Sequence, residues 1–455
     1  MTSALLLRTI AACAAVLLFP SLAVAQTADP LPAVAIDPAI AAAIAKVSPE
    51  RLRAFDTRLV AFGTRSTFSE AMGPKRGIFA ARDFIASQFR EIAKSAGGRM
   101  SVAYDEHVQT ADGRRIPRDV VISSVVATLK GDDPNGPTYV MSSHMDSRNS
   151  SNEDALKDAP GADDNGSGSS AVVEAARVLA PLHFRGTILF TTFDSEEQGL
   201  LGAANLAKNL KAAHTVVDAD INNDIIGASV GHDGIKRGDL VRLFSEALPP
   251  DANLKNVNTY GLENDSPSRQ VARFSKEIGE AYVSGMHIDM QLRADRYGRG
   301  GDHEAFNEQG FAAVRFTEAA ENFDHQHQDV RVENGIQYGD LLQYMDFDYL
   351  ARVTQINAAI VASLASAPAM PKNASTTNPP YVYDTMLSWT ASPGATSYEI
   401  VWRRSSEAQW TNARNVGNVT TYTAIGLTKD NFQFGVRALD AQSHRSLVAF
   451  PTLKK

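Results

Sequence analysis

Five short segments of this 455-residue chain gather side chains that bind hard or borderline cations. They are SHMDS with His144 and Asp146, PGADDNGSG with Asp163 and Asp164, and DSEEQG with Asp194, Glu196 and Glu197. NNDIIG adds Asp224, and FDHQHQD adds Asp324, His325, His327 and Asp329. Imidazole and carboxylate without thiolate suit zinc at a catalytic centre, with manganese or cobalt as substitutes. A single aspartate after a strand is more often a cap or a turn former. Five such segments in one chain, four of them beside expected strand ends, point instead to a metal centre.

Glu196 and Glu197 are adjacent, and neighbouring side chains on an extended backbone point in different directions, so the two acids can serve different partners. Asp146 follows His144 by two residues, on the same side of a strand, and can orient its imidazole. The glycines of GADDNGSG allow a tight turn before Ser167 or Ser169 caps the next helix.

These residues need elements to hold them. VVISSVVATLKG, TYVMSSHMD, GTILFTTFD and ADINNDIIG read as short strands, with SGSSAVVEAARVLAPL and GLLGAANLAKNL as intervening helices. The alternation implies an α/β fold, three αβα layers around a mostly parallel sheet, with sites at the carboxyl ends of its strands. Helical patterns also cover about residues 48–62, opened by Ser48 and Pro49, then residues 76–95 and 268–281. The polar, glycine-rich stretch 231–299 reads otherwise as long connections around the site.

Charged residues at 21% and hydrophobic residues at 44% fit a folded globular protein and exclude a mostly disordered one. Residues 1–25 read as a secretory signal peptide: Arg8 precedes an apolar centre broken by Pro20, and Ala23-Val24-Ala25 offers a cleavage site. The expected location is therefore exported, either periplasmic or secreted. The only cysteine, Cys13, would leave with the signal, so no disulfide would remain. The formal charge of −8 disfavours nucleic acid and anionic membranes as partners. Residues 26–47 read as a flexible lead-in, 48–365 as the main domain and 366–377 as a Pro/Ser/Thr/Asn-rich linker. Residues 378–455 alternate as a small all-β sandwich. This tail resembles a fibronectin type III domain, with Trp389, Tyr398, Ile400, Leu427, Phe434, Val436 and Ala438 in core places. Phe432 stands where that family usually has a corner tyrosine, and no partner for the domain can be named.

Over about residues 48–365, the segments HMD, PGADDNGSG, DSEEQG and NDIIG resemble the co-catalytic di-zinc aminopeptidases of peptidase family M28. That family also holds glutamate carboxypeptidases, a single-zinc glutaminyl cyclase branch and non-catalytic transferrin-receptor-like members. The resemblance implies two Zn2+ per chain. His144 and Asp224 would bind one, Glu197 and His325 the other, and Asp163 would bridge them. Glu196 would be the general base acting on a metal-activated water. A non-proline cis peptide is expected at Asp163-Asp164. HQHQDV offers two histidines, and aligning Asp329 with the family's aspartate selects His325 over His327. In DRYGRGGDHEAF, Tyr297 would help hold the oxyanion, and Asp302 and His303 would support the ligands, as Asp146 and Asp164 would. Arg269, Arg296 and Arg299 would meet a substrate carboxylate or form a solvated face. The implied activity is that of an exported exopeptidase, an aminopeptidase acting on peptides.

Three other readings use different features. GASVG, residues 227–231, matches the G-x-S-x-G elbow of serine hydrolases with Ser229 as nucleophile, but no helical pattern follows it. A single-zinc cyclase would share most ligands. A non-catalytic binding protein would have lost some, and here every position is filled.

Overall fold

A computed structural model describes residues 29–246, 248–377 and 381–454; the expected signal peptide and Cys13 lie outside them. Eight strands form the main sheet: β1 (Met100–Gln109), β2 (Val120–Leu129), β3 (Thr138–His144), β4 (Thr187–Phe193), β5 (Val217–Asn223), β6 (Leu240–Ser245), β7 (His287–Gln291) and β8 (Ala313–Glu318). Their spatial order is β1-β2-β4-β3-β5-β8-β6-β7. The central run β4-β3-β5-β8 is parallel; β2 joins it antiparallel on one side and carries β1 antiparallel to itself, while β6 joins it antiparallel on the other and carries β7 parallel to itself.

The central strands are buried on both faces, which is why β3 can read as the unbroken run TYVMSSH, buried throughout. Helices α1 (Pro38–Ile44), α2 (Pro49–Val60), α3 (Ile78–Ala93), α4 (Gly168–Leu179), α5 (Leu201–Ala212), α6 (Leu254–Tyr260), α7 (Pro267–Tyr282), α8 (His303–Glu308) and α9 (Phe347–Ser366) complete the domain. The larger core packs α1, α2, α3, α4, α7 and α9 on one face, and a second core sets α5 and α8 on the other. Local chemistry fixes the helix starts: Ser48 Oγ accepts from Arg51 N ahead of α2, and Ser266 Oγ from Arg269 N ahead of α7, each with proline next in the chain.

Three expectations about organisation change, the third in the tail. Residues 231–299 hold the expected helix, which is α7, but the rest is not only connections, because β6, β7 and α6 also lie within them. Residues 26–47 are not a loose lead-in over their described part. Asp37 caps α1, whose Ile40 and Ile44 enter the main core. Ahead of it, Leu31 N donates to Thr411 O and Ala413 N to Asp29 O, adding an edge to the C-terminal domain. The apolar Ile40/Ile44 spacing gave that helix its buried stripe.

After the short hairpin β9 (Arg331–Glu333) and β10 (Ile336–Tyr338), the tail forms β11 (Lys372–Thr377), β12 (Thr385–Thr390), β13 (Ser397–Arg404), β14 (Asn412–Gly417), β15 (Thr421–Ala424), β16 (Phe432–Leu439) and β17 (Thr452–Lys454). They make two sheets, β15-β12-β11-β17 and β14-β13-β16, with Trp389, Tyr398, Ile400, Phe434, Val436 and Ala438 buried between them. The linker expected at 366–377 therefore ends earlier, since β11 already pairs with β12 and β17. Among the described residues no helix is long and apolar enough to cross a membrane.

Candidate metal centre

β3, β4 and β5 are parallel neighbours, so their carboxyl ends lie side by side. His144 is the last residue of β3, Asp194 follows β4 and Asp224 follows β5. The turns beyond pass through left-handed backbone at Ser195 (φ 65°), Leu200 (φ 62°) and Ile225 (φ 58°), a conformation that β-branched residues such as Ile225 rarely adopt. Such backbone concentrates at functional sites.

Six side chains converge there in two groups, His144 with Glu196 and Asp224, and Asp164 with Glu197 and His327, the donor atoms of each group lying within 4.8 Å of one another. Asp164 sits between the groups. Its Oδ1 is 3.2 Å from His144 Nε2 and its Oδ2 is 2.8 Å from His327 Nε2. His327 Nε2 is also 2.9 Å from Glu197 Oε1, and His144 Nε2 is 3.5 Å from Asp224 Oδ1.

The outer atoms of these groups are spoken for. Asp224 Oδ2 meets Arg315 Nη2 at 3.0 Å, and Glu197 Oε2 accepts from Arg148 Nε at 2.7 Å. His144 Nδ1 lies 3.2 Å from the Asp146 carbonyl. The Asp146 carboxylate accepts from Glu196 N and Glu197 N, both at 3.1 Å, and so fixes the backbone that sends the two glutamates into different groups. Behind the other loop, Asp340 accepts from Asp163 N at 2.9 Å and from Asp164 N at 2.7 Å.

Four inward atoms, His144 Nε2, Asp164 Oδ1, Glu197 Oε1 and Asp224 Oδ1, are buried with no hydrogen-bond partner. Unsatisfied buried carboxylate oxygens are costly, so their convergence fits divalent cations. Nitrogen and oxygen donors backed by Asp146, Arg148 and Arg315 match a zinc centre with its supporting shell. The electrostatics agree. Burial alone would push both imidazoles down, yet Asp224 and Glu196 hold His144 well above its usual range, and Glu197 and Asp164 hold His327 at about 10. The cluster demands positive charge.

Comparison with known sequences decides the family. Residues 124–346 match peptidase family M28. A probable zinc metalloprotease of Leptosphaeria maculans is 43% identical over 418 residues, 90% of this chain and 96% of that protein. The chain is a member of peptidase family M28. A probable zinc metalloprotease of Pyricularia oryzae is 42% identical over 91% of this chain and 84% of that protein. Among solved structures, the LapA aminopeptidase of Legionella pneumophila superposes with a TM-score of 0.53 at 20% identity, over 72% of this chain and 74% of that one, a likeness of fold.

Several sequence expectations land differently in this M28 chain. His144, Glu196, Glu197 and Asp224 come together, but Asp163 and His325 do not join them. Asp163 Oδ1 accepts from Gly227 N at 2.8 Å and the side chain pairs with Glu318, while His325 stacks on Tyr344 with ring centroids 3.5 Å apart. Both line a separate small cavity with Glu318, Asp340 and Tyr344. Burial pushes His325 down to about 4. The reason is register. The tight turn after Gly161 (φ 54°) directs the second aspartate inward, and left-handed backbone at His327 (φ 57°) turns that ring toward Glu197. The cis peptide correspondingly lies at Asp164-Asn165 rather than Asp163-Asp164.

Asp164, expected in a supporting role, thus stands at the centre. Ser167 and Ser169 do not cap α4: Ser169 Oγ donates to His144 O at 2.8 Å, and Asn165 Oδ1 accepts from Gly168 N at 2.8 Å. Asp302 is fully buried behind the cluster with both oxygens unpartnered, and His303 Nε2 meets Ala294 O at 2.9 Å. Tyr297 does not reach the site. It is 90% exposed under Arg293, because its loop turns Arg296, Gly298, Arg299 and Gly300 toward the cavity instead. Ser229 Oγ donates to Asp346 at 2.6 Å and contacts no histidine, so the elbow reading finds no base. Arg269 is buried against Ser245 O and Asn264, away from the cavity.

Sequence reading missed Arg148, Arg315, Asp340 and the fully buried Arg65, which donates to the Met145, Pro160 and Gly161 carbonyls. An arginine directly after HMDS and another inside the apolar strand AVRFTE were the available signals, since a buried charge requires a partner.

Proposed function

We propose that this chain is an exported zinc-dependent exopeptidase, an aminopeptidase that releases N-terminal residues from peptides. The observation that carries the reading is the set of four unpartnered donor atoms converging with His327 around Asp164. His144 and Asp224 would hold one zinc, Glu197 and His327 the second, and Asp164 would serve both. The names of the 43% and 42% identical relatives support zinc and proteolysis, and the residues 1–25 pattern supports export. The buried core of the tail supports a fibronectin type III-like sandwich.

A pair of divalent ions would lower the pKa of water and polarise the scissile carbonyl. The chain's own residues do the rest. Glu196 lines the cavity beside His144 and Asp224, and among the described residues its carboxylate has no hydrogen bond or ion pair, so it would be free to take a proton from the attacking water. Burial, reinforced by Asp224 and Glu197 against the pull of His144, raises Glu196 well above the usual carboxylate range. Glu196 would then also deliver that proton to the leaving amine. The cavity of about 380 Å³ is the size of a small-ligand site, which suits the end of a peptide better than its middle.

The test is Glu196→Gln, which keeps shape and removes the proton acceptor. The variant is expected to bind zinc as wild type does and to lose kcat by roughly 10²–10⁴-fold. A variant with near-normal kcat on an aminoacyl amide would remove Glu196 from the mechanism.

A further inference from the structure

We infer that the peptide taken by this cavity carries a carboxylate close to the scissile bond, received by Arg115 and Arg299. The inference rests on the peptidase reading and names its substrate class. Among the residues lining the cavity, the acids are Asp164, Glu196, Glu197 and Asp224, all members of the cluster. Two divalent cations would balance those four carboxylates. What then remains charged in the wall is cationic: Arg115, Arg148, Arg296, Arg299 and Arg315. The apolar lining is limited to Leu200 and Ile225, too little to form a hydrophobic side-chain pocket.

Three of the arginines are committed. Arg148 is held by Glu197 and reaches His327 Nδ1 at 2.5 Å. Arg315 is held by Asp224, Asp295 and the Gly300 carbonyl. Arg296 is held by Asp295, Glu321 and the same carbonyl. Arg299 has a single ion pair, one Nη on Glu321 at 2.5 Å, with its side chain 30% exposed. That carboxylate is shared with Arg242 and Arg296. Arg115 is exposed and, among the described residues, its guanidinium has no hydrogen bond or ion pair. It stands beside Gly199, at the turn directly after the two glutamates, where a Cβ would lie 4.0 Å from its Nη1. A guanidinium at a cavity wall with open donors suits a planar carboxylate, which it can bind through two parallel hydrogen bonds. Dipeptides, whose free terminus lies one residue from the bond, and peptides with an acidic side chain there both supply that group.

The zinc-loaded protein is assayed on Ala-Ala, on alanyl-alaninamide and on alanyl-aspartic acid α-amide, in wild type and in the Arg115→Ala/Arg299→Ala double variant. Glutarate, a dicarboxylate that cannot be hydrolysed, is titrated calorimetrically into both proteins. In wild type at least one carboxylate substrate is expected to exceed the neutral amide in kcat/KM by about tenfold or more, and the favoured one identifies the source of the carboxylate. In the double variant that ratio falls toward one and glutarate binding weakens by a similar factor. Comparable rates on all three peptides, or a ratio and glutarate affinity unmoved by the substitutions, would overturn the inference while leaving the peptidase reading intact. Zinc-loaded protein inactive on every peptide would overturn the peptidase reading, and the glutarate titration would then decide the arginine site by itself.

Discussion

At Asp164 one carboxylate oxygen faces His144 and the other faces His327, whereas Asp163, one residue earlier, turns to Gly227 N and Glu318. The two side chains are chemically identical, so substituting each in turn isolates position from composition. Asp163→Asn keeps an acceptor for Gly227 N and a donor toward Glu318, and is expected to lower kcat/KM by no more than about tenfold. Asp164→Asn removes the charge shared between the two groups, and is expected to lower it by more than about 100-fold. Equal losses in a steady-state assay would contradict this placement. The sequence made the residue types and their order legible, because imidazole and carboxylate at strand ends have few other uses in such number. It could not say which of two adjacent aspartates, or of two histidines two apart, turns inward. Backbone dihedrals in the turns decide that, and both Gly161 and His327 adopt left-handed values there.

Strand β5, which carries part of the site, also buries an acid that no ion pair among the described residues neutralises. Asp220 of β5 is fully buried, its Oδ1 accepting from Ser142 Oγ at 2.7 Å, and burial pushes its carboxyl up to about 8. The folded chain therefore holds this proton at pH values where the unfolded chain, with an aspartate near 3.8, has released it. Stability should fall as pH rises from about 4 to 8 and level off above, at up to about 1.4 kcal/mol per pH unit for one proton. Asp220→Asn stays neutral and can still accept from Ser142, so its thermal midpoint is expected to match wild type at acid pH and exceed it increasingly toward pH 8. A difference independent of pH would show that this proton is not retained on folding. The elements around β5 were the legible part of the fold, since β2 to β5 and the helices after them show plain periodicity. β1, β6, β7 and β8 were not read as strands. β7 and much of β1 are only partly covered, so charge and polarity interrupt their apolar pattern.

At the scale of the whole molecule, the C-terminal sandwich is docked on the peptidase domain through buried charge. Asp265, just before α7, binds Arg273 of α7 at 3.1 Å and Arg403 of β13 at 2.7 Å. Glu277 of α7 binds Arg437 of β16 at 2.9 Å and Arg445 at 2.5 Å, with Glu399 of β13 completing the pair at 2.8 Å from Arg437. Residues 29–37 cross the same junction, as Asp29 pairs with Arg414 and Asp37 with His444. Removing one partner of a buried pair leaves the other charge unpaired, at a cost of roughly 3–5 kcal/mol. Glu277→Ala is expected to lose stability of that order in denaturant unfolding while the folded fraction keeps its kcat/KM. A loss below about 1 kcal/mol would mean that the junction is solvated. None of this was legible in sequence, where the tail reads as a separable module, because ion pairs 138 to 168 residues apart leave no periodic trace.

The central claim is that His144, Asp164, Glu197, Asp224 and His327 enclose two divalent ions, and elemental analysis of zinc per chain tests it most directly. Wild type and His325→Ala, dialysed against trace zinc, are expected to hold two zinc ions each, and His327→Ala fewer than two. One zinc or none in wild type, or a deficit in His325→Ala with His327→Ala fully loaded, would contradict it.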